Sequence, residues 1–307
     1  MILLRISLPL AALSIAASAS AQAPVYGVLE TYFISSRTTP GAIHKMTWGE
    51  FNYRPVSNLK LTYSFTVTPD SHTLDETCVA WDTKDVLVRA GRLRTSFGFS
   101  DWSDLRYTGF NHVPLVRSQK LSEGTSLNRN DSGVEVTTNY GGVQIQAAAI
   151  DTSLAIEEIT PENIDTGLLR LQAPVGPFIV GIDGLRSLRH GQGIYGFDLR
   201  YTTPRLTSRT EYFSGDGKTS AQGYYTDVQY RLPGFSRTQL VGMTEWLDKK
   251  TSNKRSMLYT LGLRQIVTPN FTLNVNYGWG GGLDNLSSIR SQGLDNWSAR
   301  ALFQIQF

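Results

Sequence analysis

A single cysteine, Cys78, stands in 307 residues, so no internal disulfide can form and the chain does not belong to the disulfide-stapled class of secreted domains. Cys78 reads as a small strand side chain without a role. Long apolar runs are also lacking. After Ala23 no stretch approaches the roughly 20 residues that a membrane helix needs, which excludes a helical membrane protein. Neither sign of charge dominates, with 29 Lys and Arg against 26 Asp and Glu, and that balance gives no reason to expect nucleic acid as a partner. Histidine is scarce: His44, His72, His112 and His190 are scattered over loops and strand ends without metal-ligand spacing. No serine lies in a nucleophile-elbow pattern. The sequence therefore predicts no catalytic, metal or cofactor site.

Two glycine motifs match nucleotide-binding patterns only in their letters. Gly191-Gln192-Gly193-Ile194-Tyr195-Gly196 opens a strand and not a helix, so no helix N-terminus is there for a pyrophosphate. Gly217-Lys218-Thr219 has Tyr212 where the upstream glycine of a phosphate loop belongs.

What is present begins with an export signal. Met1 to Arg5 is a short positive start, Leu8 to Ala17 is apolar, and small residues follow, which is the pattern of a secretory signal peptide. The run is too short to span a bilayer of roughly 30 Å as an uncleaved helical anchor. Cleavage is expected after Ala19-Ser20-Ala21, because a cut two residues later would place Pro24 just beyond the scissile bond. Residues 1–21 are thus expected to form the signal peptide and 22–307 one β-barrel domain.

The main signal after it has period two. In a strand, successive side chains point to opposite faces, and a barrel wall needs one face for lipid and one for water. Trp297, Ala299, Ala301, Phe303, Ile305 and Phe307 alternate with Asn296, Ser298, Arg300, Gln304 and Gln306, Leu302 being the exception. Phe271, Leu273, Val275, Tyr277 and Trp279 alternate with Thr272, Asn274, Asn276 and Gly278. Leu59 to Val67 repeats the pattern. Strands are placed near residues 25–35, 44–53, 58–68, 76–83, 85–94, 132–140, 142–150, 166–173, 177–185, 193–202, 205–214, 222–232, 235–247, 255–268, 270–279 and 296–307. The fold class is therefore all-β, a transmembrane antiparallel barrel of about 16 strands, an even number as in bacterial single-chain barrels.

Connection lengths give an independent check, since outer-membrane barrels alternate short periplasmic turns with longer external loops. Arg54-Pro55-Val56-Ser57, Gly141-Gly142, Val175-Gly176, Thr203-Pro204, Pro233-Gly234 and Pro269-Asn270 all fall after even-numbered strands and use turn-forming residues. The longest connection, Thr95 to Asn130, follows the fifth strand and is the third external loop. A soluble sandwich of amphipathic strands is the competing fold. It leaves unexplained the signal peptide, the alternating loop lengths, and Tyr53, Tyr140, Tyr201 and Tyr230 at strand ends, where barrels carry aromatic girdles.

On these residues the chain resembles the bacterial outer-membrane porins of sixteen-stranded type. The terminal Phe303, Ile305 and Phe307 are similar to the signal that the barrel-assembly machinery recognises. The long third loop resembles the loop that, in those porins, folds inward to narrow the channel. Gly91-Arg92-Leu93-Arg94-Thr95-Ser96-Phe97-Gly98 resembles a turn of the phosphate-selective porin O and P group, with serine where that group often has proline and without a dense arginine ladder. The resemblance implies a protein of the cell outer membrane, a homotrimer among outer-membrane lipid and lipopolysaccharide. It implies passive diffusion of small hydrophilic solutes and ions through a water-filled channel. A substrate-specific anion or phosphate-type channel is the alternative, and an outer-membrane barrel enzyme the more distant one.

Parity then names the inward-facing charges. Glu50, Glu135, Arg170, Asp198, Arg200, Arg209, Asp227, Arg231, Arg264 and Arg300 are expected to line the pore, with Glu30, Asp183 and Glu211 on the same faces. Fixed charge beside a narrow aqueous path selects among ions. The competing reading is that these groups pair with one another across neighbouring strands. If the third loop folds inward, Asp101 and Asp104 face Lys60 and Arg89, and these four with Arg106 form the constriction. The other possibility is a loop lying over the mouth or outside it.

Overall fold

A computed structural model describes residues 25–36, 42–94, 96–98, 109–110, 112–118, 120–122, 125–127, 130–151, 164–188, 191–217, 220–250, 254–282 and 297–306. Sixteen antiparallel strands close into one barrel. They are β1 Val25–Ser36, β2 Ala42–Val56, β3 Leu59–Val67, β4 His72–Asp82, β5 Val86–Arg94, β6 Asn130–Tyr140, β7 Val143–Asp151 and β8 Thr166–Val175. The second half comprises β9 Phe178–Ser187, β10 Gly193–Thr202, β11 Leu206–Gly215, β12 Ala221–Arg231, β13 Thr238–Lys249, β14 Lys254–Thr268, β15 Phe271–Gly281 and β16 Trp297–Gln306. Each strand pairs with its sequence neighbour, and β1 closes the ring on β16, from Val28 opposite Gln306 to Ser36 opposite Ser298. Closure leaves no unpaired edge, the condition for carrying backbone polar groups through hydrocarbon.

All the expected strands are present, with differences only at their ends. β4 starts at His72, four residues earlier than its expected start, and its register against β3 shifts between Ser64 and Phe65. That bulge puts the consecutive residues Asp75 and Glu76 on the same buried face. Two further register shifts fall near the short-turn end, between Tyr53 and Val56 and between Ile266 and Thr268. On β3, Thr62, Ser64 and Thr66 are buried inside while Leu61 and Tyr63 stand exposed outside.

Turn chemistry fixes the register of the hairpins at one end. Between β6 and β7 only Gly141 and Gly142 intervene, with φ of +58° and +83°, a conformation that two adjacent glycines adopt without the Cβ clash other residues meet. At this short-turn end Tyr53, Tyr140 and Tyr230 are exposed, and Tyr201 lies against Phe178 with ring centroids 5.3 Å apart. Towards the long-loop end Tyr224 meets Trp246, and Trp279 meets both Tyr259 and Tyr277. Two aromatic belts bounding an apolar outer wall match the interfacial girdles of outer-membrane barrels.

Inside the barrel there is a second apolar layer. Ile150, Leu168, Leu185, Ile194, Phe213, Tyr225, Val241, Met243, Leu247 and Leu258 point inward from β7 to β14 and join Phe97, Phe110, Leu115, Val116, Leu121 and Leu127 from the segment after β5. That segment also holds the one-turn helix α1, Leu115–Ser118, and a small hairpin of Lys120–Ser122 with Thr125–Ser126.

Candidate functional site

The inner wall carries its charges in register. Antiparallel pairing sets inward-facing residues of adjacent strands side by side, so an arginine meets the carboxylates of its neighbours. Arg89 on β5 sits between β4 and β6. Its Nε donates to Glu135 at 2.8 Å and its Nη1 to Glu76 at 3.1 Å. Arg170 on β8 reaches across β9 to β10, with Nη1 2.7 Å from Asp183 and 2.6 Å from Asp198. Arg209 on β11 donates from Nε to Asp227 on β12 at 2.9 Å. Asp198, Glu211 and Asp227 are fully buried. Such groups are held in place by direct pairing, since an unpaired charge without water is costly.

The third external segment is tied to the same wall. The Gly98 amide donates to Asp183 at 3.0 Å. The His112 Nε2 lies 2.7 Å from Glu245 of β13, whose other oxygen accepts the Leu115 amide at 3.2 Å. Arg117 forms a two-pronged pair with Glu211, Nε to Oε2 at 2.7 Å and Nη2 to Oε1 at 3.1 Å. Its guanidinium also stacks over Phe213 and donates to the Phe97 carbonyl. Burial works to lower the Arg117 pKa, but the Glu211 carboxylate outweighs it and holds the group above the usual arginine value, so this latch stays charged. Asn276 of β15 donates to the Gly109 carbonyl at 3.0 Å.

The expected pore residues fall into three groups. Glu135, Arg170, Asp198, Arg209, Asp227, Arg264 and Arg300 face inward and are buried. Glu50, Lys60 and Arg200 are half-buried on inward positions nearer the short-turn end, and Arg231 is exposed there. Arg89 is inward and bound to two carboxylates. The expected constriction residues Asp101, Asp104 and Arg106 lie outside the described residues, as does Phe307. Phe303 and Ile305 are exposed on the outer face of β16.

Several inward carboxylates escaped the sequence reading, Asp75, Glu76, Asp131 and Glu245 among them. Asp75 and Glu76 occupy a bulge that period two cannot register. Glu245 lies on β13, where the inner face holds Val241, Met243 and Leu247 and the outer face Leu240, Gly242, Thr244 and Trp246, so the usual contrast of apolar outside and polar inside is lost. The loss has a cause. The loop segment packs there, and it makes that part of the inner face a dry interface.

No protein-family model matches the sequence, and no curated protein matches it. Solved structures do. OmpT, an outer membrane protein of Vibrio cholerae in trimer form, superposes with a TM-score of 0.64 at 14% identity, covering 93% of this chain and 99% of that one. A loop L8 deletion mutant of OmpT gives 0.65 at 13% identity over 93% and 99%. A mutant of the Rh. blastica porin gives 0.65 at 11% identity over 93% and 100%. At these identities the likeness shows the fold alone: this chain is a closed sixteen-stranded antiparallel β-barrel, like the outer-membrane proteins it superposes on.

Proposed function

We propose that this chain is an outer-membrane porin, a water-filled channel for passive diffusion of small hydrophilic solutes and ions. The observation that carries the reading is a closed sixteen-stranded barrel with an apolar outer wall and a charged inner one. Sixteen strands enclose more than side chains alone fill, unlike eight. The contacts of Gly98, Gly109, His112 and Arg117 with inward-facing residues support an inward course for the third loop. In this reading the whole segment from Thr95 to Asn130 narrows the lumen, and Asp101, Asp104 and Arg106 belong to its rim.

Export by cleavage of residues 1–21, recognition of Phe303, Ile305 and Phe307 by the barrel-assembly machinery, contact with lipopolysaccharide and a homotrimeric state belong to the same proposal. The trimer form of OmpT supports the last. An enzyme is disfavoured by the place of its best candidate pair. His112 of the loop and Glu245 of β13 are both buried against each other, where they latch two elements together.

The test is reconstitution of the purified mature protein in a planar bilayer. Stepwise ionic conductance is expected. Silence from well-folded, heat-modifiable barrels would overturn the proposal.

A further inference from the structure

At the short-turn end the charges are sorted by side. Residues 199–210, 228–244 and 260–282 include the ends and turns of β10 to β15 there, and they contain no Asp or Glu while holding Arg200, Arg205, Arg209, Arg231, Arg237 and Arg264. Across the same rim Arg54, Lys60 and Lys84 are mixed with Glu50, Asp82 and Asp85. Several of the arginines are engaged. Asp227 accepts from Arg209 at 2.9 Å, and Arg200 and Arg264 have partners of their own. Arg237 donates to the Val267 carbonyl at 3.2 Å. Arg205 and Arg231 differ: both are exposed, and among the described residues no carboxylate pairs with either.

These two arginines are neighbours. The Arg231 amide donates to the Arg205 carbonyl at 2.8 Å, so the residues face each other across the pair of β11 and β12, in step with the inward-facing Arg209 and Asp227. Like charges directly opposite destabilise a strand pair, a penalty that an anion between them removes. Adjacent strands lie about 5 Å apart, so each guanidinium can fork onto one end of an anion that carries two oxyanion groups. The next strand adds an independent sign. Gln239 stands directly opposite Arg231, and its Oε1 is closed off from water without a hydrogen-bond partner. A buried amide left incomplete costs stability until something completes it. A half-turn of that amide puts an N–H in the same place, a donor for a further ligand oxygen.

We infer that Arg205 and Arg231, with the Gln239 amide, form a binding site for small anions that carry two oxyanion groups, a diphosphate or a short dicarboxylate. The site lies on one side of the short-turn mouth, periplasmic in an outer-membrane barrel. The inference rests on the porin reading for the passage of such a solute and adds to it a substrate class and a place of capture. Both arginines stand on inward positions, so the ligand is a solute in the aqueous mouth and not a lipid headgroup at the outer wall. Once one end of the anion is held, the second guanidinium meets the other end as an intramolecular partner. An anion with a single carboxylate forgoes that advantage.

The test is isothermal titration of the mature protein, in micelles of an uncharged detergent, with pyrophosphate, succinate and acetate. Pyrophosphate and succinate are expected to bind, and acetate to bind about tenfold or more weaker, since one charge-assisted contact contributes roughly a factor of ten. Arg205→Gln/Arg231→Gln should stay heat-modifiable and weaken pyrophosphate by the same factor or more, whereas Arg54→Gln/Lys84→Gln across the rim should leave it unchanged. Equal binding of succinate and acetate, or equal losses in the two variants, would overturn the site and leave only the general field of the mouth. Cardiolipin, a lipid with two phosphates, serves as competitor in the micelles. No displacement of pyrophosphate is expected, and displacement would overturn the solute in favour of a headgroup. Binding to barrels that are silent in a planar bilayer would overturn the porin reading alone. Conducting barrels without binding would overturn the site alone.

Discussion

Arg170 shows at the scale of one residue why burial decides what a wall charge does. Its guanidinium serves two carboxylates, Asp183 and Asp198, both with fully or almost fully buried side chains. Removing it leaves both facing each other without a countercharge in a region with little water. Breaking a buried pair from one side costs about 3–5 kcal/mol. Arg170→Met is thus expected to lower the stability of the folded barrel by about that amount, read as a reduced urea midpoint in refolding from lipid vesicles. Arg170→Lys should lose less, because a charge remains although one ammonium cannot bridge both partners as a fork does. Lys60→Gln should change stability by less than about 0.5 kcal/mol, since Lys60 is partly solvated and its loss strands no buried group. Equal losses for Arg170→Met and Lys60→Gln would show that the wall pairs are solvated after all. Arg89 belongs with Arg170 in this respect. Neutralising it exposes Glu76 and Glu135 to each other, so it is a poor probe of ion selectivity even though its parity placed it at the constriction.

Among the strands, β16 has to do two things: present an apolar outer face and close the ring. Phe303 and Ile305 stand exposed opposite Thr31 and Leu29 of β1, and a terminal side chain on that face gains little from packing. Deletion of Phe307 is accordingly expected to reduce outer-membrane yield sharply while leaving the urea midpoint of barrels refolded in vitro nearly unchanged. Normal yield in cells would remove the terminal residues from the assembly signal. β16 also shows why so much of the fold was legible: its alternation runs the length of the strand with Leu302 alone out of step, and a one-residue slip would turn the outward apolar side chains inward. The same logic named most of the inward charges. It failed at Asp75 and Glu76, where a bulge adds a residue to one strand only, and at Glu245, where the inner face is as apolar as the outer. Pairing partners were not legible at all beyond neighbouring strands. The contacts of Arg117 with Glu211 and of His112 with Glu245 join residues 94 and 133 positions apart through a loop whose course period two does not encode.

For the whole molecule, what holds the described parts of the segment after β5 against the inner wall bears on the channel proposed above. Phe97, Phe110, Leu115, Val116, Leu121 and Leu127 are all buried against the inner wall. At about 1.5–3 kcal/mol for each fully buried side chain their burial contributes on the order of 10 kcal/mol, an upper estimate. Hydrogen bonds to charged groups contribute about 1.5–3 kcal/mol each, so the bonds to Glu211 and Glu245 fix orientation and together contribute an amount comparable with the apolar burial. The two contributions can be separated by mutation. Glu211→Gln/Glu245→Gln leaves one accepting oxygen at each site where two stood and strands the buried Arg117 charge, so stability should fall, but the segment should stay seated on its apolar contacts and single-channel conductance should change little. Leu115→Asp/Leu121→Asp places two carboxylates in the dry layer, where neither has a countercharge built for it. The segment should then leave the wall, and conductance should rise, with larger fluctuations as the freed chain samples the lumen. Heat-modifiability should persist, because the sixteen-stranded ladder does not depend on those two side chains. A rise in the Gln pair with none in the Asp pair would make the ionic latches the principal attachment. No change in either would mean that the ion path bypasses the segment altogether, leaving the barrel intact as a channel but assigning its narrowest point to another part of the wall.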